Sequence, residues 1–297
     1  MNLYTAVIIA TKGRPQEVAN LLAALAMQTV LPDMIIVSAC DRSDIAPSSD
    51  TAQNVQIIFG SPGLPAQRNR GLSAIRGKCD IVIFFDDDFV PSRYWIEHIQ
   101  TVFATHPNVA GATGRVLADG VRAGGLEWSD GQSIVDKTDS SNKQMVSTDP
   151  HQMRDHLSAY GCNMAFRARS IEHATFDERL VLYGWLEDRD FTFQVKAQGR
   201  MIRTDAVWGV HLGSKHARNS GLKFGYSQVV NPWYLMRKGS MTAVDSCRHI
   251  ARGLAANTLG LFLPNSHVDR WGRLRGNMIG IRDIVSRRWA PERIIEL

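Results

Sequence analysis

The sequence predicts an α/β fold, in which a mostly parallel sheet is flanked by helices, and three observations support this class. Short apolar runs rich in β-branched residues lack the alternation of half-exposed strands, which indicates strands buried on both faces. Segments with apolar residues at helical spacing follow several of these runs. Polar loops separate the two kinds of segment, and repeated units of this kind place their loops along one edge of a parallel sheet.

The first elements of the chain follow this pattern. Residues 4–10 form an apolar, β-branched run that predicts a strand, and the turn TKGRP comes directly after it. Residues 16–28 then carry apolar side chains at helical spacing. Residues 34–38 and 55–59 predict two further short strands, and the polar loop between them contains Asp41. A strand, a polar loop and a helix in this order open a βαβ unit.

Residues 79–91, with the sequence CDIVIFFDDDFVP, place three carboxylates directly after an apolar run. The run predicts a strand buried on both faces, and Asp86, Asp87 and Asp88 follow at its carboxyl end. Adjacent like charges repel one another, so their burial is costly unless a cation offsets the charge. Carboxylate oxygens suit Mg²⁺ or Mn²⁺, and open α/β sheets bind ligands at the carboxyl ends of their strands. The stretch therefore predicts a divalent metal that holds a substrate phosphate, and a solvated acidic turn is the alternative.

The segments on either side of the acidic stretch continue the pattern. The turn-rich residues 60–70 contain Arg68 and lead into a predicted short helix over residues 69–75. A guanidinium group there can bind phosphate or ribose oxygens, although an exposed arginine at a helix start is the simpler interpretation. Residues 92–105 predict a helix, and residues 109–116 predict another strand.

Residues 118–158 are the least regular part of the sequence, with Gly, Ser, Asp and Asn scattered throughout. A segment of this length inside a compact domain is typical of a lid, a substrate loop or disorder, and the sequence does not separate these. Residues 162–167 then predict a strand.

The stretch GWLEDRDF carries the second set of candidate acids. Glu187 and Asp188 begin a predicted helix over residues 187–198, where the helix dipole favours negative charge. Acids that only stabilise the helix start are therefore a strong alternative to a catalytic role. Residues 201–210 predict the last strand, which ends at His211. A single histidine after a strand is more often structural than a metal ligand.

Charge is spread unevenly along the chain. The net charge is +5, from 34 Lys and Arg against 29 Asp and Glu. From residue 213 onward 14 basic residues face 5 acidic ones, which gives +9, and the remaining 20 against 24 give −4 for residues 1–212. We therefore predict one domain over residues 1–212 and a basic, mainly helical extension over residues 213–297. A basic extension with tryptophan suits a membrane surface, a solvated helical face is the alternative, and no recognition motif supports nucleic acid binding.

The cysteines and the N-terminal segment bear on the compartment. The four cysteines are far apart and form no spacing typical of zinc sites, so we expect them to be reduced. The segment MNLYTAVIIATKGRP has a short apolar run without a basic region before it, which predicts a first strand and not a signal peptide. Both features predict a cytoplasmic protein, with peripheral contact to the inner face of the cytoplasmic membrane through the extension.

Six motifs occur in an order that resembles the family 2 glycosyltransferases, over roughly residues 4–212. They are VIIATKGRP, PAQRNRGL, FFDDDFVP, GCNMAFR, FDERL and GWLEDRDF. Each motif is weak alone, but six in sequence form a specific pattern. The resemblance implies the GT-A fold, a Rossmann-like sheet that binds nucleotide-diphospho-sugars, and it implies a metal-dependent, inverting transferase of the hexosyltransferase type with Mn²⁺ or Mg²⁺ as cofactor.

The resemblance also implies roles for individual residues. The nucleotide-sugar site would contain Thr11, Lys12, Arg14, Asp41, Arg68, Asp86 and Asp87. The metal would be held by Asp88 and His211, Asp188 would be the catalytic base, and Trp185 and Glu187 would face the acceptor. In one departure from the family pattern, Ala39 and Cys40 stand where relatives usually have adjacent acids that meet the base.

The implied reaction moves a sugar from a nucleotide-sugar donor, expected to be a UDP-sugar, to a hydroxyl of a glycan or lipid-linked glycan in surface polysaccharide biosynthesis. Two alternatives stay open. A sugar-phosphate nucleotidyltransferase shares the topology, but TKGRP lacks the glycine-rich phosphate loop of that class. A catalytically inactive glycan-binding or scaffold protein could keep the fold, although the presence of both Asp88 and Asp188 argues against it.

Overall fold

The computed structural model describes residues 3–47, 53–142, 153–156, 158–214, 220–262 and 268–297. The chain divides into two compact units. The first unit comprises Met1–Pro62, Ala66–Thr175 and Phe191–Ala217, and the second comprises Gly63–Pro65, Phe176–Asp190 and Arg218–Leu297. The second unit thus includes two segments that precede the predicted boundary at residue 212.

The first unit is built on a mixed sheet. Its strands are β1 (Thr5–Ala10), β2 (Met34–Ala39), β3 (Val55–Phe59), β4 (Ile81–Asp86), β5 (Phe89–Pro91), β6 (Val109–Asp119), β7 (Met153–Asp155), β8 (Asn163–Arg167) and β9 (Arg200–His211). Their order is β3-β2-β1-β4-β8-β6-β9-β5, and β7 pairs with β9. Because β8 is antiparallel to both β4 and β6, β6 has the direction of β4. Six of the nine strands in the described part of the chain therefore run the same way, which confirms the predicted mostly parallel α/β class.

Helices cover this sheet. They are α1 (Pro15–Ala26), α2 (Leu64–Ile75), α3 (Trp95–Thr105), α4 (Gly120–Ala123), α5 (Trp128–Asn142) and α6 (Glu187–Val195). The apolar residues that predicted α1, such as Val18, Leu21 and Leu25, are buried in the core together with the inner faces of β1, β2 and β4. The central strands have no solvent-facing side, since every residue of β1 is buried.

Part of the segment predicted as irregular is ordered. The strand β6 extends to Asp119, and α5 follows; residues 143–152 and 157 of the predicted loop lie outside the described residues. Asp139 of α5 is buried and accepts hydrogen bonds from Ser92 Oγ and Trp208 Nε1, both at 2.7 Å. A polar anchor therefore holds α5 in place of a broad apolar face, which explains why periodicity did not predict it.

The second unit is mainly helical, as predicted for the basic extension. It contains α7 (Gly221–Lys238), α8 (Ala243–Gly260) and α9 (Arg270–Val285). The helices α7 and α9 approach closely because glycines line their contact: a Cβ at Gly225 would overlap the carbonyl oxygen of Arg273, and one at Gly276 would overlap that of Leu222. No helix among the described residues is long and apolar enough to cross a membrane.

Candidate functional site

The acidic stretch follows β4 and lies beside the ends of β1 and β9. Asp86 ends β4 and lies opposite Ala10, so the acids stand beside the loop that follows β1. The short strand β5 begins at Phe89, which is paired with His211 of β9, and the N–H of Leu212 donates to the carbonyl of Asp88 at 2.9 Å. This antiparallel pairing places the last residue of β9 against the acids.

Three side chains at this point offer a set of metal ligands. Ligand atoms of Asp86, Asp88 and His211 all lie within 4.8 Å of one another. The Nε2 atom of His211 is 3.4 Å from Asp88 Oδ1, and both residues are buried. Two carboxylates and one imidazole form a donor set that suits Mn²⁺ and related divalent ions.

Two arginines also contact the three acids. Arg14 Nη1 lies 2.7 Å from Asp87 Oδ1 and 3.4 Å from Asp88 Oδ2, and the hydroxyl of Thr11 donates to Asp87 Oδ2 at 2.8 Å. Arg68, which is only 2% exposed, donates to Asp86 Oδ1 at 2.8 Å. The predicted nucleotide-site residues Thr11, Arg14 and Arg68 thus contact the acidic stretch directly.

The charges of the cluster do not balance. Among the described residues, the cluster contains four carboxylates, those of Asp86, Asp87, Asp88 and Asp119, and two guanidinium groups, those of Arg14 and Arg68, so the acids exceed the arginines by two.

Buried carboxylates with too few cations attract positive charge. Although burial alone would lower it, hydrogen bonds to Asp119 and Asp88 raise the pKa of His211 to about 10. Burial raises the pKa of Asp87 to about 7 against the effect of Arg14. Burial would also raise the pKa of Asp88, but the hydrogen bond from His211 and the charges of His211 and Arg14 together hold it at about 2. A divalent cation bound to the neutral form of His211 would match the two charges by which the acids exceed the arginines, so the residues present fit the predicted metal.

Asp119 and Tyr160 are site residues that the sequence analysis missed. His211 Nδ1 lies 3.1 Å from Asp119 Oδ1, and the hydroxyl of Tyr160 donates to Asp119 Oδ2 at 3.0 Å. An ionised carboxylate can only accept, so this contact keeps the proton on Nδ1 and leaves Nε2 facing Asp88. Asp119 ends β6, the parallel neighbour of β9, and this shared sheet edge was the signal that could have identified it.

The loop after β2 is tied to the loop after β1 by Asp44. Its Oδ1 accepts from the N–H of Gly13 at 2.6 Å, and its Oδ2 accepts from the N–H groups of Cys40 and Asp41 at 2.8 and 2.9 Å. The side chain of Asp41 is exposed and accepts from the N–H of Ser43, and Lys12 is also exposed. Asp44 therefore organises the backbone of both loops, whereas the residue of this loop that was predicted to contact the nucleotide sugar is Asp41.

The second unit contains the other predicted site residues. Asp188 is half-buried near the start of α6 and accepts from the N–H of Arg189 at 2.7 Å, and Glu187 is buried. The residue before the helix, Leu186, has a positive φ of 73°, which is unusual for a branched side chain and marks a constrained position.

Trp185 is partly buried in the second unit. Its ring stands edge-on to Phe224 with centroids 5.2 Å apart, and its carbonyl accepts from Asn231 at 2.9 Å. These contacts fix the position of the backbone just before Glu187 and Asp188.

Comparisons with known proteins agree with this architecture. The model of the family described as glycosyl transferase family 2 matches residues 6–174, and no curated protein matches the sequence. Among solved structures, the chain is similar to the mannosyltransferase PcManGT from Pyrobaculum calidifontis in complex with GDP-Man and Mn²⁺, with 12% identity, a TM-score of 0.57, and coverage of 96% of this chain and 88% of that chain. It is also similar to residues 1–349 of TarS from S. aureus, with 14% identity, a TM-score of 0.52, and coverage of 96% and 83%. At these identities the likeness concerns the fold alone.

Proposed function

Because this chain belongs to the family 2 glycosyl transferases, whose model matches more than half of its length, we propose that it transfers a sugar from a nucleotide-sugar donor to an acceptor hydroxyl. The predicted family and GT-A fold are confirmed by the family match and the structural likenesses. The donor, the acceptor, the metal and the roles of single residues are proposals.

The observation that carries the proposal is the cluster of Asp86, Asp88 and His211 with its uncompensated charge. A divalent cation bound there would stabilise the negative charge that develops on the departing diphosphate. Asp88 would supply a ligand from the turn between β4 and β5, His211 would supply one from the end of β9, and Asp86 would complete the set or meet the ribose. Arg68 would hold Asp86 in place, because its guanidinium is buried against that carboxylate.

The loops after β1 and β2 would form the nucleotide pocket. Lys12 and Asp41 are exposed and can reach a ligand, whereas Arg14, Asp87 and Thr11 bond to one another and would shape the floor of the pocket. Asp44 would fix the spacing of the two loops through its three backbone hydrogen bonds.

Asp188 would act as the general base in this scheme. An acceptor hydroxyl is a poor nucleophile, and a half-buried carboxylate within hydrogen-bond reach can take its proton as the new bond forms. A direct displacement assisted by one base inverts the anomeric centre, so we propose inversion. Glu187 and Trp185, which neighbour Asp188 in the chain, would contact the acceptor.

We propose a UDP-sugar as donor and a glycan or lipid-linked glycan as acceptor in surface polysaccharide assembly, at the inner face of the cytoplasmic membrane. Ala39 and Cys40 replace the acids expected near the base, and the complex of PcManGT holds GDP-Man, so GDP is the nucleotide to test beside UDP.

The testing experiment is calorimetric binding of UDP, GDP, CMP and dTDP to the full chain, first with Mn²⁺ and then with EDTA. We expect one nucleotide to bind only when the metal is present. Asp88→Ala should abolish this binding, whereas Asp188→Asn should keep it and lose sugar transfer. Equal loss of nucleotide binding in both variants would contradict the separate roles of Asp88 in binding and Asp188 in catalysis. If the wild type and Asp188→Asn both bind the nucleotide and neither transfers sugar, the protein would be an inactive scaffold.

A further inference from the structure

The segment from the start of α8 to the end of α9 exposes an unusual number of large apolar side chains. Among the described residues, 16 large hydrophobic side chains are exposed, and 7 of them lie between residues 243 and 288. These seven are Val244, Leu259, Leu261, Phe262, Trp271, Met278 and Val285. Exposed apolar residues are ordinary when scattered, but a concentration of them on one element indicates an interaction surface.

On α9 these residues form a single stripe with arginines. Trp271, Arg275, Met278, Arg282 and Val285 are all exposed and follow one another at spacings of four, three, four and three residues. Such spacing puts the side chains on one side of a helix, over a length of about 21 Å at 1.5 Å per residue. Trp271, Met278 and Val285 are 62%, 57% and 78% exposed, so none of the three is part of the core.

The charge of this region has one sign. Six exposed arginines occur in the described residues of this segment: Arg248, Arg252, Arg275, Arg282, Arg287 and Arg288. The acids of the same residues are engaged elsewhere. Asp283 is fully buried and pairs with Arg293, Asp245 pairs with Arg189, and Asp269 accepts from the N–H of Gly272 at the start of α9. The stripe itself therefore presents only positive charge and apolar surface.

The interior of the second unit does not depend on this stripe. The helices α7 and α9 meet at Gly225 and Gly276, and Asn257 of α8 donates to Asn277 of α9 at 2.7 Å with both side chains buried. Trp271, Arg275 and Met278 can therefore be changed without removal of a core contact, whereas Arg282 also lies 3.6 Å from the buried Asp283.

We propose that the stripe on α9 docks on a lipid bilayer that contains anionic phospholipid. Arginines bind the phosphates of such a surface, while Trp, Met and Val enter the boundary between headgroups and acyl chains. A second copy of the chain fits less well, because its stripe would bring arginines against arginines. A nucleic acid would leave Met278 and Val285 against phosphates, so a lipid surface is the occupant that fits both the arginines and the apolar side chains of the stripe.

The inference goes beyond the transfer reaction and can fail separately from it. The experiment is co-sedimentation of the full chain with vesicles of phosphatidylcholine alone and of phosphatidylcholine mixed with phosphatidylglycerol. An apolar variant carries Trp271→Ser with Met278→Ser, and a charge variant carries Arg275→Glu. The matched control changes residues of the same types elsewhere, Met27→Ser with Arg169→Glu, both of which are exposed in the first unit.

We expect the wild type and the control to bind only the anionic vesicles, with binding that falls as salt is added, and both stripe variants to bind at least 10-fold more weakly. All variants should keep the wild-type melting curve and nucleotide affinity, which separates this inference from the proposed function. Equal binding by the stripe variants and the control would overturn the inference, as would the absence of binding by the wild type. A concentration-dependent dimer that the stripe variants lose, without vesicle binding, would assign the face to a second copy.

Discussion

The two units of the molecule both bury carboxylates, but they neutralise them differently. In the first unit four carboxylates around Asp88 share two arginines and one histidine. In the second unit Asp283 is as deeply buried, yet Arg293 lies 2.6 Å from its Oδ2 and Arg282 lies 3.6 Å from its Oδ1. A buried acid with its own cation is expected in a structural role, whereas a group in which the described acids outnumber the described cations offers a place for a cationic ligand.

We expect the largest effect on Mn²⁺ affinity from a substitution of Asp88. Asp88→Asn removes one ligand and one unit of the uncompensated charge, so Mn²⁺ affinity should fall by roughly 100-fold or more. The measurement is calorimetric titration with Mn²⁺. In the wild type, Mn²⁺ at 100 times its Kd should also raise the free energy of unfolding by about 2.7 kcal/mol, and the variant should show no such gain.

Asp283→Asn is the matched control for that experiment. It also removes a buried negative charge, but from a pair that the chain completes by itself. Its Mn²⁺ affinity should equal that of the wild type. A loss of Mn²⁺ binding as large as that of Asp88→Asn would show that burial of an acid, and not the charge imbalance, accounts for both results.

The next effect concerns the orientation of His211. Asp119→Asn keeps the size of the side chain but no longer requires a proton on Nδ1, so Nε2 would face the cluster as an acceptor for only part of the time. We expect Mn²⁺ affinity to fall by about 10–100-fold, the usual range for a residue that orients a metal ligand. Imidazole ¹⁵N shifts of His211, followed against pH in the metal-free protein, should show a lower pKa in Asp119→Asn, because the hydrogen bond to Asp119 is one of the causes that raise it.

Tyr160→Phe provides the graded control for Asp119. It removes one hydrogen bond to Asp119 and leaves the contact of Asp119 with His211 intact, so its effect on affinity and on the ¹⁵N shifts should be smaller. An unchanged pKa of His211 together with an unchanged Mn²⁺ affinity in Asp119→Asn would contradict a positioning role.

Local physics explains which parts of this site the sequence predicted. The strand β4 and the acids after it were predictable because an apolar run and the repulsion of adjacent charges are properties of neighbouring residues. Asp119 and Tyr160 were not, because they reach His211 through the pairing of β6 with β9 and through a loop from another part of the chain. His211 itself was ambiguous until the antiparallel pairing of β5 with β9 placed it against Asp88.

The fold shows the same limit. Helices with an apolar stripe, such as α1, were predicted within two residues of their bounds. The helix α5 was not predicted, because it is held partly by Asp139, whose partners Ser92 and Trp208 are distant in sequence. The predicted roles of Asp188, Trp185 and Glu187 stay predictions.

The free energy of unfolding of the metal-free protein, unlike its Mn²⁺ affinity, should depend on the buried acid of the second unit. Asp283→Asn leaves Arg293 without its closest partner, and a hydrogen bond between charged groups contributes about 1.5–3 kcal/mol. We expect a loss of that size in the free energy of unfolding, measured by chemical denaturation of the metal-free protein. A variant as stable as the wild type would show that the pair is no more than an exposed contact.

The smallest effect depends on pH and concerns Asp177 in the second unit. Although burial would raise it, hydrogen bonds from Lys238 and Tyr234 lower the pKa of Asp177 below its ordinary value. A carboxyl group whose pKa is lower in the folded state stabilises the fold above its unfolded pKa of about 3.9, and this contribution disappears as the pH falls through the folded value.

Asp177→Asn should therefore be less stable than the wild type at neutral pH, by about 1 kcal/mol or less because the group is only partly buried. The two proteins should converge as the pH falls below about 4, since protonation removes the charge that the variant lacks. The measurement is the difference in unfolding free energy between the two proteins across this pH range. A difference that stays constant through the acid range would mean that Asp177 acts through packing and not through its charge, and the pairing of acids with cations in the second unit would then be incidental at this position.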